Sequence, residues 1–141
     1  MDVHNEITDL LKQYESDVKH KDVEDLLRLH TNNVETFDLM EPFKYSGKEL
    51  LRDRIEQWFK SYKGEIKFKF NELNVSTGED LSICHALIKT SGVLVNGEKT
   101  EMWIRSTLGL KKEEGQWRIF HEHTSEPFDM KTGRAISQLS F

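Results

Sequence analysis

Gly64-Glu65-Ile66-Lys67-Phe68-Lys69-Phe70-Asn71 is where the chain changes period. Ile66, Phe68 and Phe70 alternate with Lys67, Lys69 and Asn71, as in a strand with one buried and one wet face. Downstream, turn signals at Gly78-Glu79-Asp80, Asn96-Gly97 and Glu113-Glu114-Gly115 divide the chain into long strands of about 10 residues each, ordered as an antiparallel meander. Asn96-Gly97 is the clearest hairpin signal of the three. Upstream, Ile7, Leu10, Leu11, Tyr14 and Val18 recur at three- and four-residue steps, which predicts a helix over about residues 3 to 19. Asp22 is placed to cap a second, shorter helix whose apolar face is Val23, Leu26, Leu27 and His30, with Asn32-Asn33 ending it.

Between the helices, residues 34–38 (Val-Glu-Thr-Phe-Asp) read as a short strand. Ser46-Gly47-Lys48-Glu49 reads as a capping box opening a third helix through Leu50, Leu51, Arg54, Ile55, Trp58 and Phe59, with Gly64 as its terminator. Three helices, a short strand and four long strands make an α+β chain. The expected architecture is a cone-shaped roll: three N-terminal helices packed on a strongly curved, mostly antiparallel sheet that encloses a pocket. No repeat, low-complexity tract or linker interrupts it, and the tail after Pro127 is short.

A length of 141 residues fits one domain, 1–141. Apolar residues make up 36% and charged residues 32%, so the core must be concentrated in a few strongly patterned segments, with three Trp, eight Phe and three Tyr to fill it. The net charge of −5 argues against nonspecific nucleic-acid binding, which needs clustered positive charge. No apolar run approaches the roughly 20 residues of a spanning helix. Asp2, Glu6, Asp9 and Lys12 stand where a signal peptide needs an uninterrupted apolar stretch, so the expected location is cytoplasmic. Cys84, the one cysteine, has no intrachain disulfide partner and sits in an apolar segment as a buried structural thiol would. A Gly-rich phosphate loop between a strand and a helix is missing, and no cofactor is expected.

The stretch from Glu101 to Pro127 resembles the closing hairpin of SnoaL-like domains, above all in Gly115-x-Trp117-x-Ile119-x-His121-x-His123-x-Ser125. It also resembles the association domain of calmodulin-dependent protein kinases, a noncatalytic oligomerising member of the same nuclear transport factor 2-like superfamily. The element order matches over about residues 3 to 128. Since such superfolds host enzymes, binders and scaffolds alike, the likeness implies the fold more than an activity. It also implies dimerisation through the outer sheet face.

Ketosteroid isomerases, similar in the same way, carry a Tyr in the first helix and a general-base Asp just after the first strand. Tyr14 and Asp38 match those positions without a gap, and both patterns then reach the Ser-Gly that opens helix three. The isomerase's further acid, on the penultimate strand, has no counterpart where this chain reads Arg105, Ser106 and Thr107. The resemblance therefore implies Asp38 as base with Tyr14 and Arg105 as oxyanion donors, Arg105 replacing the acid as a cation suited to an anionic substrate or enolate. Alternatively, Tyr14 is a core tyrosine and Asp38 caps a turn or pairs with a surface cation.

Alternation offers two faces of the last strand: Trp117, Ile119, His121, His123 and Ser125, or Arg118, Phe120, Glu122 and Thr124. Likeness to the kinase association domain favours the second, with Phe120, Glu122 and Thr124 in the pocket beside His85, Leu87 and Lys89, and a further position at Ser106 or Thr107; a bulge would reverse the choice. Trp58, Trp103 and Phe120 line the pocket if they point inward. Arg54 stands at the mouth of the cone or pairs on the surface with Glu49, Asp53 or Glu56. His121-x-His123 has metal-ligand spacing, with His85 or Glu122 as possible partners, but lacks a second close pair, and no metal is expected. Two readings follow: an isomerase, cyclase or hydratase using Asp38, or a noncatalytic ligand-binding or oligomerising module holding a small anion against Lys89 or Arg105. The missing acid and the terminal hairpin favour the second.

Overall fold

The computed structural model describes residues 2–138. Its elements run α1 (Val3–Lys19), α2 (Val23–Arg28), β1 (His30–Phe37), β2 (Tyr45–Ser46), α3 (Lys48–Lys60), β3 (Tyr62–Thr77), β4 (Leu81–Leu94), β5 (Lys99–Glu113) and β6 (Gln116–Ser125). The six strands form one sheet in the order β2-β1-β6-β5-β4-β3. β3 to β6 are an antiparallel meander, while β1 returns parallel to β6, so the sheet is mixed. Helices pack against this curved sheet, which does not close on itself. Among the described residues no helix is long and apolar enough to cross a membrane.

Local chemistry accounts for most of the boundaries. Asp2 accepts a hydrogen bond from the Asn5 amide at 2.8 Å and Asp22 accepts from the Asp25 amide at 3.0 Å, each satisfying an orphan donor of the helix it opens. Ile7, Leu11, Tyr14 and Val18 form the buried face of α1, and each fully buried aliphatic contributes roughly 1.5–3 kcal/mol. Together with Leu26 and Leu27 of α2 and Leu51, Ile55 and Phe59 of α3 they cover the sheet residues Ile66, Ile88, Leu108, Leu110 and Ile119.

Several boundaries differ from the sequence reading. His30 is not on α2: the helix ends at Arg28, and His30 opens β1, which starts four residues before Val34. Ser46 does not cap α3, because it belongs to β2, pairs with Glu35, and donates its hydroxyl to the Glu35 carboxylate at 3.0 Å. The N-cap is Gly47, at φ +91°, a conformation that a side chain would strain. Gly64 does not terminate α3 either. Ser61 ends the helix, its hydroxyl donating to the Trp58 carbonyl, and Gly64 sits at a register shift inside β3 with φ +73°. β3 to β5 run to 14–16 residues. The tail folds back on itself through Phe128 and Ala135, and the Trp103 amide donates to the Ser137 carbonyl where β6 has already ended.

Candidate active site

Even-numbered residues of β4 and β5 face the helices. Ser82, Cys84, Ala86, Ile88 and Thr90 are buried on β4, and Ile104, Ser106, Leu108 and Leu110 on β5. β6 begins in the opposite phase, burying Trp117 and Ile119. It then changes phase, because Leu110 pairs with Ile119 while Gly109 pairs with His121, which leaves Phe120 as the extra residue of a bulge. Beyond the bulge Glu122 and Thr124 face inward. The inward side of β6 thus takes Trp117 and Ile119 from one of the faces weighed from the sequence and Glu122 and Thr124 from the other, and of these four it is Glu122 and Thr124 that line the cavity described below.

A cavity of about 120 Å³ lies between this concave wall and the helices. That size is on the order of cavities that admit a single ring of benzene size. Its apolar wall is Phe68, Phe70, Ile88, Ile104 and Trp58, and its polar residues include Tyr14, His30, Thr36, Asp38 and Glu122. The cavity shares Leu39 with two shallower hollows along residues 39–43, where an occupant longer than one ring has room to extend.

The polar end of the cavity is built on Glu122. Tyr14, stacked on Phe68 and edge-on to Phe70, donates its hydroxyl to Glu122 Oε2 at 3.1 Å. His30 Nε2 lies 2.6 Å from Glu122 Oε1, and His30 Nδ1 lies 2.9 Å from the Leu26 carbonyl oxygen. A carbonyl only accepts, so Nδ1 carries a hydrogen. One further proton is then shared between Nε2 and Glu122, as imidazolium with carboxylate or imidazole with carboxylic acid. Breaking a buried pair of this kind leaves an uncompensated group at a cost of about 3–5 kcal/mol. Burial first, then the Glu122 charge and its hydrogen bond, then Asp38, hold the Tyr14 hydroxyl well above its usual pKa, so Tyr14 stays a donor.

Asp38 follows the last residue of β1 and lines the same cavity. Its Oδ2 accepts from Arg54 Nε at 2.9 Å and its Oδ1 from the Leu39 amide at 2.7 Å. Arg54 is thus at the cavity, one helical turn from Trp58, and pairs with Asp38 rather than with Glu49, Asp53 or Glu56. Of the residues singled out from the sequence, Tyr14, Asp38, Arg54, Trp58, Ser106, Glu122 and Thr124 meet at this cavity.

Other expected pocket residues stand elsewhere. His85, Lys89, Trp103, Arg105 and Thr107 are odd-numbered residues of β4 and β5 and point to the outer face, so their assignment to the cavity was one residue out of phase. Lys89 lies over the Trp103 ring and 3.8 Å from Glu101, and Arg105 is exposed and donates to Ser125. Neither cation reaches the cavity to hold an anion or an oxyanion there. Phe120 lies on the outside against Gly109, with Lys111 over its ring. His121 and His123 also face outward, packed edge-on against Phe37, with His121 Nδ1 at 2.8 Å from the Glu35 carbonyl. Among the described residues no three His, Cys, Asp or Glu side chains cluster as a metal site needs. Cys84 is buried, and burial followed by the Glu122 charge pushes its thiol up to about 12.

Sequence reasoning missed His30 and Thr36. His30 was read as one more residue of a helix face; its signal was a histidine at the end of an apolar stripe, which needs a polar partner when buried. Thr36 is the cross-strand neighbour of Glu122, a pairing visible only once β1 is known to run parallel to β6.

The chain belongs to the SnoaL-like domain family, which matches residues 7–129. Similar solved structures include an NTF2-like protein of unknown function from Pseudomonas putida KT2440, 26% identical over 99% of each chain with a TM-score of 0.88. A candidate calcium/calmodulin dependent protein kinase II association domain from Xanthomonas campestris is 16% identical over 89% of this chain and 88% of that one, with a TM-score of 0.78. A candidate dehydratase of the NTF2-like family from Streptomyces avermitilis is 14% identical over 86% and 94%, with a TM-score of 0.76. No curated protein matches the chain by sequence.

Proposed function

We propose that this chain is an enzyme that moves a proton on a small, uncharged, oxygen-bearing cyclic ligand, in a reaction of the isomerase or dehydratase type. Asp38 takes a proton from the carbon beside a carbonyl. The His30–Glu122 pair, with Tyr14 holding Glu122 in place, gives its shared proton to the ligand oxygen, as an enol forms or as a hydroxyl leaves as water. The observation that carries this reading is that Asp38 and Glu122 line one cavity. Ionisable groups that line a cavity beside a largely aromatic and aliphatic wall are a common mark of proton-transfer sites. The ligand is uncharged in this reading because the cations expected to hold an anion, Lys89 and Arg105, lie on the outer face, and Arg54 is already paired with Asp38.

Cyclohexanone in deuterated water tests it, with exchange of the α-protons followed by NMR. Wild-type protein accelerates the exchange, and Asp38→Asn removes at least about a hundredfold of that acceleration. Equal rates for the two proteins overturn the role of Asp38. A second reading, noncatalytic binding of the same ligand class, is supported by the fact that Asp38 and Glu122 both already have protein partners. It becomes the preferred one if cyclohexanone binds without exchange. The partner expected from the family resemblance is a second copy through the outer sheet face, where Phe37, Leu81 and Ile83 expose apolar surface. Sedimentation at micromolar concentration tests it: a dimer supports this reading and a monomer removes it.

A further inference from the structure

Among the described residues, Thr36 Oγ1 and Thr90 Oγ1 are buried without a hydrogen-bond partner. Their residues are 5% and 6% exposed, and both line the cavity. An unpaired buried hydroxyl costs about 1–3 kcal/mol, and valine of the same shape would avoid that cost at either position. Asp17 Oδ2, Thr31 Oγ1 and Trp117 Nε1 are also buried without a partner among the described residues, but of the five residues only Thr36 and Thr90 line the cavity, so these two hydroxyls are the ones whose missing partner an occupant there would supply.

The two hydroxyls serve different ends of the cavity. Thr36 is in register with Glu122, which faces Leu108 on β5; Thr90 faces Met102, six positions further along the same strand. An extended strand would separate those rows by roughly 20 Å, a distance that the curvature of the sheet shortens. Thr36 therefore belongs with the Tyr14–Glu122–His30 group. Thr90 is set in an apolar part of the wall, beside Ile88, Met102, Ile104 and Phe68. Among the described residues no charged side chain pairs with either hydroxyl, so each suits a neutral oxygen, as donor to a carbonyl or as partner to a hydroxyl.

We infer that the ligand carries two neutral oxygen functions on a ring framework, one received beside Glu122 by Thr36 and the other received by Thr90 on the aromatic wall. This rests on the cavity being the ligand site. It makes Thr90 a specificity-determining residue: it touches the end of the ligand away from the proton transfer and selects molecules oxygenated at both ends.

The test uses two pairs of probes, cyclohexanone with 4-hydroxycyclohexanone and 4-phenylphenol with 4,4′-dihydroxybiphenyl, titrated into wild type, Thr90→Val and Thr90→Ser and followed by NMR. In at least one pair the second oxygen tightens binding to wild type by about fivefold, the scale of one neutral hydrogen bond. Thr90→Val abolishes that gain and leaves the affinity of the one-oxygen probe within about twofold, while Thr90→Ser, which keeps the hydroxyl, retains the gain. The inference is overturned if neither pair shows a gain, or if the gain survives in Thr90→Val, as it would were the hydroxyl only holding a water. Binding of the one-oxygen probes with no dependence on Thr90 removes this inference alone. Failure of every probe to bind wild type removes the cavity reading, and this inference with it.

Discussion

Lys89 and Thr90 are adjacent in sequence and stand on opposite sides of β4. The Lys89 ammonium meets solvent, lies over Trp103 and needs no partner beyond a loose contact with Glu101. Thr90 is buried, and its hydroxyl has no partner among the described residues. The same contrast separates His123, exposed beside Phe37, from Glu122, whose two oxygens are each in contact with another buried side chain. On the outer face water satisfies whatever the sequence supplies, so polar identity there carries little structural information. Every polar group on the inner face must be paired by the protein or by an occupant, and so the inner face is where chemistry can be read from geometry.

The sharpest way to break that contrast is at adjacent positions of β6. Glu122→Ala strips His30 and Tyr14 of their partner and is expected to cost about 3–5 kcal/mol in denaturant unfolding. His123→Ala, one residue on and facing out, stays within about 0.5 kcal/mol. Similar losses for both would mean that the two faces are not distinct. Tyr14→Phe comes next: it removes one donor to Glu122 and is expected to cost about 1–3 kcal/mol by the same measurement.

Asp17 sharpens the comparison from the other side, being a buried carboxyl with fewer partners. Gln13 donates to Oδ1 at 2.7 Å, while Oδ2 has no partner among the described residues. Burial, ahead of the opposing hydrogen bond from Gln13, raises its pKa from 3.8. The folded chain therefore binds this proton more tightly than the unfolded chain, and stability falls as pH rises from 3.8 toward the raised value. Asp17→Asn is expected to raise Tm at pH 7 by a few degrees, on the order of 1 kcal/mol, with the advantage vanishing below the ordinary Asp value. An advantage that persists unchanged at pH 3 would contradict it. Smallest of all, Lys89→Ala and Arg105→Ala shift stability by less than about 0.5 kcal/mol and leave cyclohexanone affinity unchanged in titration.

The helices and the meander were legible because their periods are local: Ile7 to Val18 at helical steps, Ile66 to Phe70 at strand steps. Tyr14 and Asp38 were placed together by family resemblance, and the structure sets both at one cavity. What remained illegible was phase. Strand alternation fixes which residues share a face but not which face is inside: His85, Lys89 and Arg105, expected at the pocket by resemblance, stand on the outer side with Trp103, and of the alternatives Ser106 and Thr107 it is Ser106 that lines the cavity. On β6 the bulge at Phe120 changes phase midway, so no uniform choice was correct. Glu122 stands on the last strand, beside Leu108 of the penultimate one and within reach of Tyr14. Its partner His30 lies 92 residues away in sequence, a separation that no local pattern bridges.

Isoleucine methyl groups sit on both sides of the sheet and report on it directly. Ile55, Ile88 and Ile104 line the cavity, while Ile83 is exposed on the outer face. In a methyl-labelled sample titrated with cyclohexanone, the Ile55, Ile88 and Ile104 signals are expected to shift together along one saturating curve while Ile83 stays in place. Movement of Ile83 with the other three unmoved would show that the ligand face is the outer one and would contradict the account.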